Sequence, residues 1–464
     1  MPPADLSSLP TEATSYLLRQ ALADRVAGVL IGSALGDTIG LYTEFLSAAD
    51  AATAYPTRRF TLCGPKNEGP TLFKLDMHRA PKEPGHWTDD TDHALLLLLS
   101  FLHTASTDLP PDKQPLPTQA DLAKRLRVWV RQGLPPLDTL PLGLGRTVGS
   151  IVASAGFDTS PEAVAREYWE RTGRVVAPNG SLMRTHPLGV ICLFREEREA
   201  FALAAEISRV THVDPRCVVA CVIGTGLVRG LVNGEVRDWH GVEGVVERAV
   251  EWYVKEGKQG GDQDWKEDDW EHLQSYVGRK VGLDELKLDE HGAIGYVYKT
   301  LGSGVVLLRM AMERLGNGNE GFPQKGKVFE ELITDLVMHG GDADTNACFA
   351  GALLGAYLGY SALPGHWKHG LKHGDWLSGK VEALCRALGL LDGSYAGVHD
   401  PDTEIYGGKY PVSDDEVEQR WMLLQADVAA KMDKSAKTEA LKAPTSNPWL
   451  RWPLPWPPKT RKRG

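Results

Sequence analysis

The chain has 464 residues and a formal net charge of −10. That length suits one large domain or two ordinary ones, and the acidic balance argues against a nucleic-acid backbone as the main partner, because such binding is driven by positive charge. The six cysteines, Cys63, Cys192, Cys217, Cys221, Cys348 and Cys385, contain no CxxC pair; most sit in apolar helical patterns, so reduced, buried thiols and an intracellular setting are expected. The N-terminus shows no basic-then-apolar signal pattern, and no uninterrupted apolar segment is long enough to span a membrane, so no membrane association is expected.

Residues 1–12 read as a loose Pro/Ser leader. Leu17, Leu18, Ala21, Leu22, Val26, Leu30, Ala34 and Leu35 then recur at helical spacing. Gly28, Gly32 and Gly36 stud this helix, which is costly unless another backbone packs closely against it. The helix runs into Gly36-Asp37-Thr38-Ile39-Gly40, and Glu44 lies just beyond its end, either as a solvated loop carboxylate or over a site. Residues 61–85, rich in Pro, Lys and Gly, read as a surface loop.

That loop leads into His86-Trp87-Thr88-Asp89-Asp90-Thr91-Asp92, directly before the run Ala94-Leu95-Leu96-Leu97. Polar groups delivered onto the first turn of a buried helix fit this pattern, with Thr88 or Asp89 near the N-cap. After a Pro-rich connector at 109–117, Leu122, Leu126, Trp129 and Val130 mark an amphipathic helix. Pro141-Leu142-Gly143-Leu144-Gly145-Arg146-Thr147 follows. Its glycines and helix start suit backbone N–H contacts to a diphosphate, and suit a plain helix-connecting turn equally. It is not a dinucleotide fingerprint, since no strand precedes it and the third glycine is misplaced.

Another helix covers 162–171 and ends at Gly173. Asn179-Gly180-Ser181-Leu182-Met183-Arg184 is a turn with the small residues needed for close approach to a ligand. His212, before the helix of Cys217, Cys221 and Leu227, fits either a buried structural histidine or a ligand contact. Residues 255–290 are polar and acidic and read as a mobile insertion. Tyr296 stands at the mouth of the next helix, as core or as a surface for a planar base.

A Gly/Asn loop at 316–326 precedes the stripe Phe329, Leu332, Ile333, Leu336 and Val337. That stripe ends at Gly340-Gly341-Asp342-Ala343-Asp344-Thr345-Asn346, a second Asp/Thr-rich helix start before a helix rich in Ala, Gly and Leu. Residues 366–391 give one or two more helices, and the chain beyond Asp392 turns polar, with a helix expected at 414–432. A Trp/Pro-rich stretch at 449–458 and a basic end at 459–463 follow, the latter compatible with nuclear import. Alternating strands are missing throughout. The expected fold is all-α, one compact multi-helix domain over 13–391, with 392–464 as a C-terminal extension.

Carboxylates and hydroxyls are hard oxygen donors, so the two Asp/Thr clusters favour Mg²⁺ or Mn²⁺ over zinc. Four aspartates meeting in one place would repel one another without cations. Two ions could then hold substrate hydroxyls and a water together.

Gly36-Asp37-Thr38-Ile39-Gly40, Trp87-Thr88-Asp89-Asp90-Thr91 and His339 to Asn346 resemble the signature segments of the ADP-ribosylglycohydrolase family. Asn179 to Arg184, Thr211-His212 and Gly295-Tyr296-Val297 resemble further family segments in the same order, over roughly residues 20–390. The resemblance implies an all-α fold with a binuclear metal centre and hydrolysis of the bond between ADP-ribose and its acceptor. It implies Thr88, Asp89, Asp90, Asp342, Asp344 and Thr345 as metal ligands, and Glu44 as a mobile gate and general base, with an aspartate of the cluster (Asp89 or Asp90) as the alternative base. Gly143, Gly145 and Thr147, with Asn179, Gly180, Ser181 and Met183, would line the diphosphate and ribose. His212 would face the ribose and Tyr296 would stack on adenine. An ADP-ribosylated protein or ADP-ribose conjugate is the implied partner, met by a monomer. The rival readings are an inactive ADP-ribose-binding module, a crystallin-like structural protein on the same fold, and a metal phosphohydrolase that would release AMP.

Overall fold

Apolar residues at helical spacing form helices wherever the sequence supplies them, and the described residues contain no strand. The computed structural model describes residues 11–63, 69–259, 262, 265–316 and 322–442. Most of the expected leader, the Trp/Pro-rich stretch and the basic end lie outside the described residues, as does the middle of the 316–326 loop. In chain order the helices are α1 (Thr11–Gly40), α2 (Ala48–Ala54), α3 (Asp89–Thr104), α4 (Gln119–Gln132), α5 (Arg146–Ala153) and α6 (Pro161–Arg171). Next come α7 (His186–Ile191), α8 (Glu197–Arg209), α9 (Pro215–Asn233), α10 (Trp239–Trp252), α11 (Glu267–Val277) and α12 (Val297–Leu315). The last are α13 (Phe322–Val337), α14 (Ala343–Leu358), α15 (Gly365–Lys368), α16 (Gly374–Ala387) and α17 (Asp414–Lys442).

The fold is organised on α1 and α14, which run antiparallel with their backbones in contact. A Cβ placed on Gly28 would lie 2.2 Å from the Gly355 carbonyl oxygen, on Gly32 2.6 Å from that of Gly351, and on Gly36 1.9 Å from that of Ala347. Each step of four residues along one helix matches a step of four back along the other, so one i, i+4 row of small residues lies against its counterpart. The costly glycines of α1 are thus explained by close approach. Antiparallel pairing also brings the end of α1 to the start of α14, where Asp37, Asp342 and Asp344 sit.

Leu95 to Leu99 are all buried, so α3 must be covered on every side. Helices α4, α7, α1 and α16 cover most of it. The rest is covered by chain beyond 391: Ala396 bridges Ser106, Thr403 is fully buried, and Lys380 pairs with Asp400 at 2.6 Å. The expected boundary at 391 therefore falls inside packed structure.

Two further expectations are corrected. The 255–290 segment is not a mobile insertion among its described residues. It contains α11, packed on α12, and buries Leu273, Val277, Leu286 and Leu288. Its polar composition hides apolar residues spaced widely enough to reach the core. Helix α9 is long and apolar enough by composition to cross a membrane, contrary to the reading of the sequence; most of it is buried inside the fold. The cysteines are unbridged, as expected, and all but Cys63 are buried.

Candidate active site

Three helix ends converge. Thr88 caps α3, its hydroxyl accepting from the Asp90 N–H at 3.3 Å and donating to Asp90 Oδ2 at 3.1 Å. The fully buried Asp37 carboxylate, from the end of α1, accepts from the Thr88 N–H at 3.0 Å, the Thr91 N–H at 3.1 Å and the Thr91 hydroxyl at 2.5 Å. A carboxylate facing free N–H groups at a helix N-terminus is favoured by both hydrogen bonding and the dipole. Asp37 thereby fastens the α3 start to the α1–α14 pair.

Gly340 and Gly341 set the third end. Both adopt left-handed backbone, φ +66° and +69°, and a Cβ on either would lie 2.1 Å from a neighbouring carbonyl oxygen. Only glycine lets the chain pass between Leu46 and Leu288 there. Gly341 also exchanges hydrogen bonds with the Glu44 loop, accepting from the Phe45 N–H at 2.6 Å and donating to the Leu46 carbonyl at 2.9 Å.

Carboxylate oxygens of Glu44, Asp342 and Asp344 come within 4.8 Å of one another. Asp89 and Asp90 adjoin them, and Asp90 Oδ1 is buried without a hydrogen-bond partner. Burial first, and then the neighbouring carboxylates, raises the pKa of Asp89, Asp90 and Asp344 well above the usual range. Asp342 moves up for the same reasons, and Asp37 is pushed up to about 6 by burial against the pull of its hydrogen bonds. Such a group of acids cannot all ionise together without a cation. All-oxygen donors, a short mutual separation and an orphaned carboxylate oxygen fit a hard divalent ion.

The cluster lies at one side of a cavity of about 670 Å³, a size suited to a nucleotide-like ligand. All the site residues read from the sequence line it except Thr88 and Ser181. Thr88 is turned into its capping role. Ser181 is a correction: its side chain points into the core, where its oxygen accepts from Ser208 at 3.2 Å and Cys221 at 3.3 Å. Asn179–Ser181 form a tight 3₁₀ turn that sends neighbouring side chains in different directions. Asn179 does face the site, donating to Asp342 at 2.8 Å and to Thr300 at 2.9 Å, while Thr300 donates to Asn346 at 2.8 Å.

His212 combines the two readings left open for it: it is buried and also lines the cavity. Arg184 donates to the Thr211 hydroxyl at 2.8 Å, and that hydroxyl lies 2.7 Å from His212 Nδ1. With the hydroxyl proton given to Nδ1, the other nitrogen carries the hydrogen (a tautomer inferred from this network). Burial, then the Arg184 charge, lowers the His212 pKa to about 3, so the ring is neutral. Tyr296 is set among aromatic rings, with His272 Nε2 2.9 Å from its hydroxyl and the Arg216 guanidinium 5.8 Å from its ring centre.

Several lining or supporting residues had no reading from the sequence. Asp37 was quoted only within a motif. Arg79, 1% exposed in the stretch read as a surface loop, donates through Nε to the Leu41 and Tyr42 carbonyls and through Nη2 to the Glu44 carbonyl. His78 hydrogen-bonds the Glu44 carboxylate and packs on Phe45, ring centres 4.9 Å apart. Phe45 itself is exposed at the cavity mouth in left-handed backbone, φ 60°, a conformation that is uncommon and strained for a bulky residue. Arg146 and Tyr168 complete the far wall.

The chain is similar to known proteins over most of its length. Residues 18–395 match the family described as ADP-ribosylglycohydrolase. ADP-ribosylarginine hydrolase Tri1 of Serratia proteamaculans (strain 568) is 24% identical over 375 residues, covering 78% of this chain and 79% of that protein. The ADP-ribosyl-dinitrogen reductase glycohydrolase of Rhodospirillum rubrum is 24% identical over 375 residues, covering 79% of this chain and 97% of that protein. A solved chain described as an ADP-ribosylglycohydrolase-related protein complex is 23% identical, covers 80% of this chain and 98% of its own, and gives a TM-score of 0.46.

Proposed function

Because the chain belongs to the ADP-ribosylglycohydrolase family and is a glycosidic-bond hydrolase, we propose that it releases ADP-ribose from an ADP-ribosylated protein side chain in a metal-dependent reaction at the α1–α3–α14 junction. The observation that carries this is the carboxylate trio Glu44, Asp342 and Asp344, with oxygens within 4.8 Å of one another, at the side of a nucleotide-sized cavity. Asp89, Asp90, Asp342 and Asp344, with the Thr88 and Thr345 hydroxyls, would hold two divalent cations, Mg²⁺ or Mn²⁺, with Glu44 beside them as the base. When bound, these supply charge neutralisation and Lewis-acid polarisation.

The remaining chemistry belongs to the chain. The α5 N-terminus at Gly145–Thr147, with Arg146 beside it, presents N–H groups and a positive charge to the diphosphate. His212 offers its Nε2–H to a ribose oxygen, and Tyr296 gives the adenine a flat neighbour. Water adds to C1″ as the bond to the acceptor breaks. Glu44 takes the water's proton and returns one to the departing acceptor atom. Phe45 and His78 face the acceptor side. Arginine is the acceptor to test first, because one relative is named for ADP-ribosylarginine and a guanidinium suits an aromatic face beside a carboxylate. Reduced buried thiols suit an intracellular protein, and we take it to act as a monomer.

The test offers the purified chain peptides ADP-ribosylated on arginine or serine, and ADP-ribose polymer, with Mg²⁺ or Mn²⁺ and again with chelator. Free ADP-ribose, lost on chelation, is expected from at least one substrate. Tight ADP-ribose binding with no turnover of any substrate would identify a binding module instead, and AMP as product would identify a pyrophosphatase.

A further inference from the structure

Where Asp89 and Gly143 face the main cavity, their near neighbours Trp87 and Leu142 face a second cleft of about 330 Å³. One part of its lining is apolar, from Leu140 and Leu142 to Leu424 of α17. Another part is polar: Lys82 and Lys372 line it with the His86 and His373 rings, and its two carboxylates are already engaged, Asp92 by the Trp87 and Trp129 N–H groups and Asp138 by Lys409 and Arg420.

The cations keep donors free. Lys82 gives one hydrogen to the Trp87 carbonyl at 2.8 Å and Lys372 one to Glu83 at 3.2 Å, while each ammonium carries three. His86 Nε2 is buried with no hydrogen-bond partner. His373 holds a left-handed φ of 60°, a strained conformation for a residue with a side chain, and its ring stands 5.7 Å from that of Trp87.

Helix α17 is fastened across this cleft. Arg131 donates to the Val412 carbonyl and to Asp414, both at 2.7 Å, and Lys431 donates to the Ala80 carbonyl at 3.2 Å. The wall supplied by Leu424 lies beyond the family match, which ends at residue 395.

We propose that the cleft binds a small amphipathic anion, a phosphate monoester with a ring-bearing body. The phosphate meets Lys82, Lys372 and His86, and the body lies against Leu140, Leu142 and Leu424. Lys82 and Trp87 connect this cleft to the residues that begin α3, but occupancy does not depend on the reaction proposed for the main cavity.

The full chain with Mg²⁺ is titrated with the amphipathic anion 8-anilinonaphthalene-1-sulfonate, followed by fluorescence. One saturable site is expected. Phenyl phosphate should displace the probe, inorganic phosphate should need at least tenfold more, and ADP-ribose should leave it bound. Lys372→Glu, at a side chain 41% exposed and so safe for the core, and Leu424→Asp should each weaken probe binding at least tenfold with unchanged melting temperature. Absence of a saturable site, displacement by ADP-ribose, or wild-type binding by both variants would overturn the proposal.

Discussion

Helices α1 and α14 meet twice, by opposite physics. Along Gly28–Gly36 they touch backbone to backbone, with small residues on both sides and the Ser33 hydroxyl 3.0 Å from Cys348 Sγ. One turn further on, Gly40 lies against the Asp344 backbone, and the same pair delivers Asp37, Asp342 and Asp344 into a shared acidic site. The seam is stabilised by contact and has no room to spare. The site is destabilised by its own crowded carboxylates, which the proposed cations would neutralise. Fold stability and activity are thus written on one helix pair, but they should respond in opposite directions to substitution.

The largest effect is expected in the seam. A Cβ at Gly355 would stand 1.9 Å from the Gly28 carbonyl oxygen, and two backbones cannot yield as a flexible side chain could. Gly355→Ala should cost upwards of about 3 kcal/mol, read by urea unfolding or as loss of soluble protein. Gly379→Ala, on an exposed face of α16 with nothing near its Cβ, is the control and should stabilise by about 0.5 kcal/mol. Equal unfolding of the two variants would dissolve the contrast.

The site should behave the other way. Asp344→Asn is expected to lower hydrolysis by roughly three orders of magnitude, of the size seen when a key electrostatic group is lost. In chelator, though, the same variant should be about 1 kcal/mol more stable than the wild type, because one of several mutually repelling buried acids has gone. The stabilisation that Mg²⁺ gives the wild type should shrink in the variant. A variant less stable than wild type in chelator would make Asp344 a structural residue rather than a frustrated ligand.

Both ends of the helix pair were legible in the sequence, for a common reason. Glycines every fourth residue and paired Asp/Thr helix starts are patterns that side-chain identity alone carries. What escaped acts through the backbone or through sparse contacts. Arg79 binds carbonyl oxygens, which exist at every position and leave no signature. The apolar residues of 265–290 reach the core from within a polar stretch. Asp37 stood inside a recognised segment, but its partners are the N–H groups of a helix far along the chain, so its role appears only once α3 has been placed.

A smaller effect separates buried charge that the fold tolerates from charge that it excludes. His186 is fully packed, its ring 3.1 Å from the Met183 carbonyl, and burial lowers its pKa to about 4. The folded pKa lies below the unfolded one, so this stability is present above pH 6.5 and is lost as pH falls from there toward 4. Over that window the Mg²⁺-loaded protein should lose about 1.4 kcal/mol per pH unit through this residue. His186→Gln should flatten the slope of unfolding free energy against pH by about one proton between pH 6 and pH 5, and an unchanged slope would show that His186 does not stay neutral.

The smallest expected effect tests the edge of the site itself. The family resemblance put Ser181 beside the diphosphate and ribose, whereas its hydroxyl accepts from Ser208 and Cys221 in the core. Ser181→Ala takes this acceptor from the weak Cys221 donor, leaves Ser208 the His212 carbonyl at 3.1 Å, and removes nothing from the cavity wall. Stability should fall by about 1 kcal/mol, while kcat/KM with the best ADP-ribosylated peptide should stay within about twofold, since 1.4 kcal/mol of lost transition-state binding would already give tenfold. Asn179→Ala, two positions earlier in the same turn, removes the donor to Asp342 and should cost activity far more than stability. If Ser181→Ala instead lowered kcat/KM tenfold without changing the melting temperature, Ser181 would belong with the site, and the boundary between seam-like core and charged cavity would have to be drawn one residue deeper.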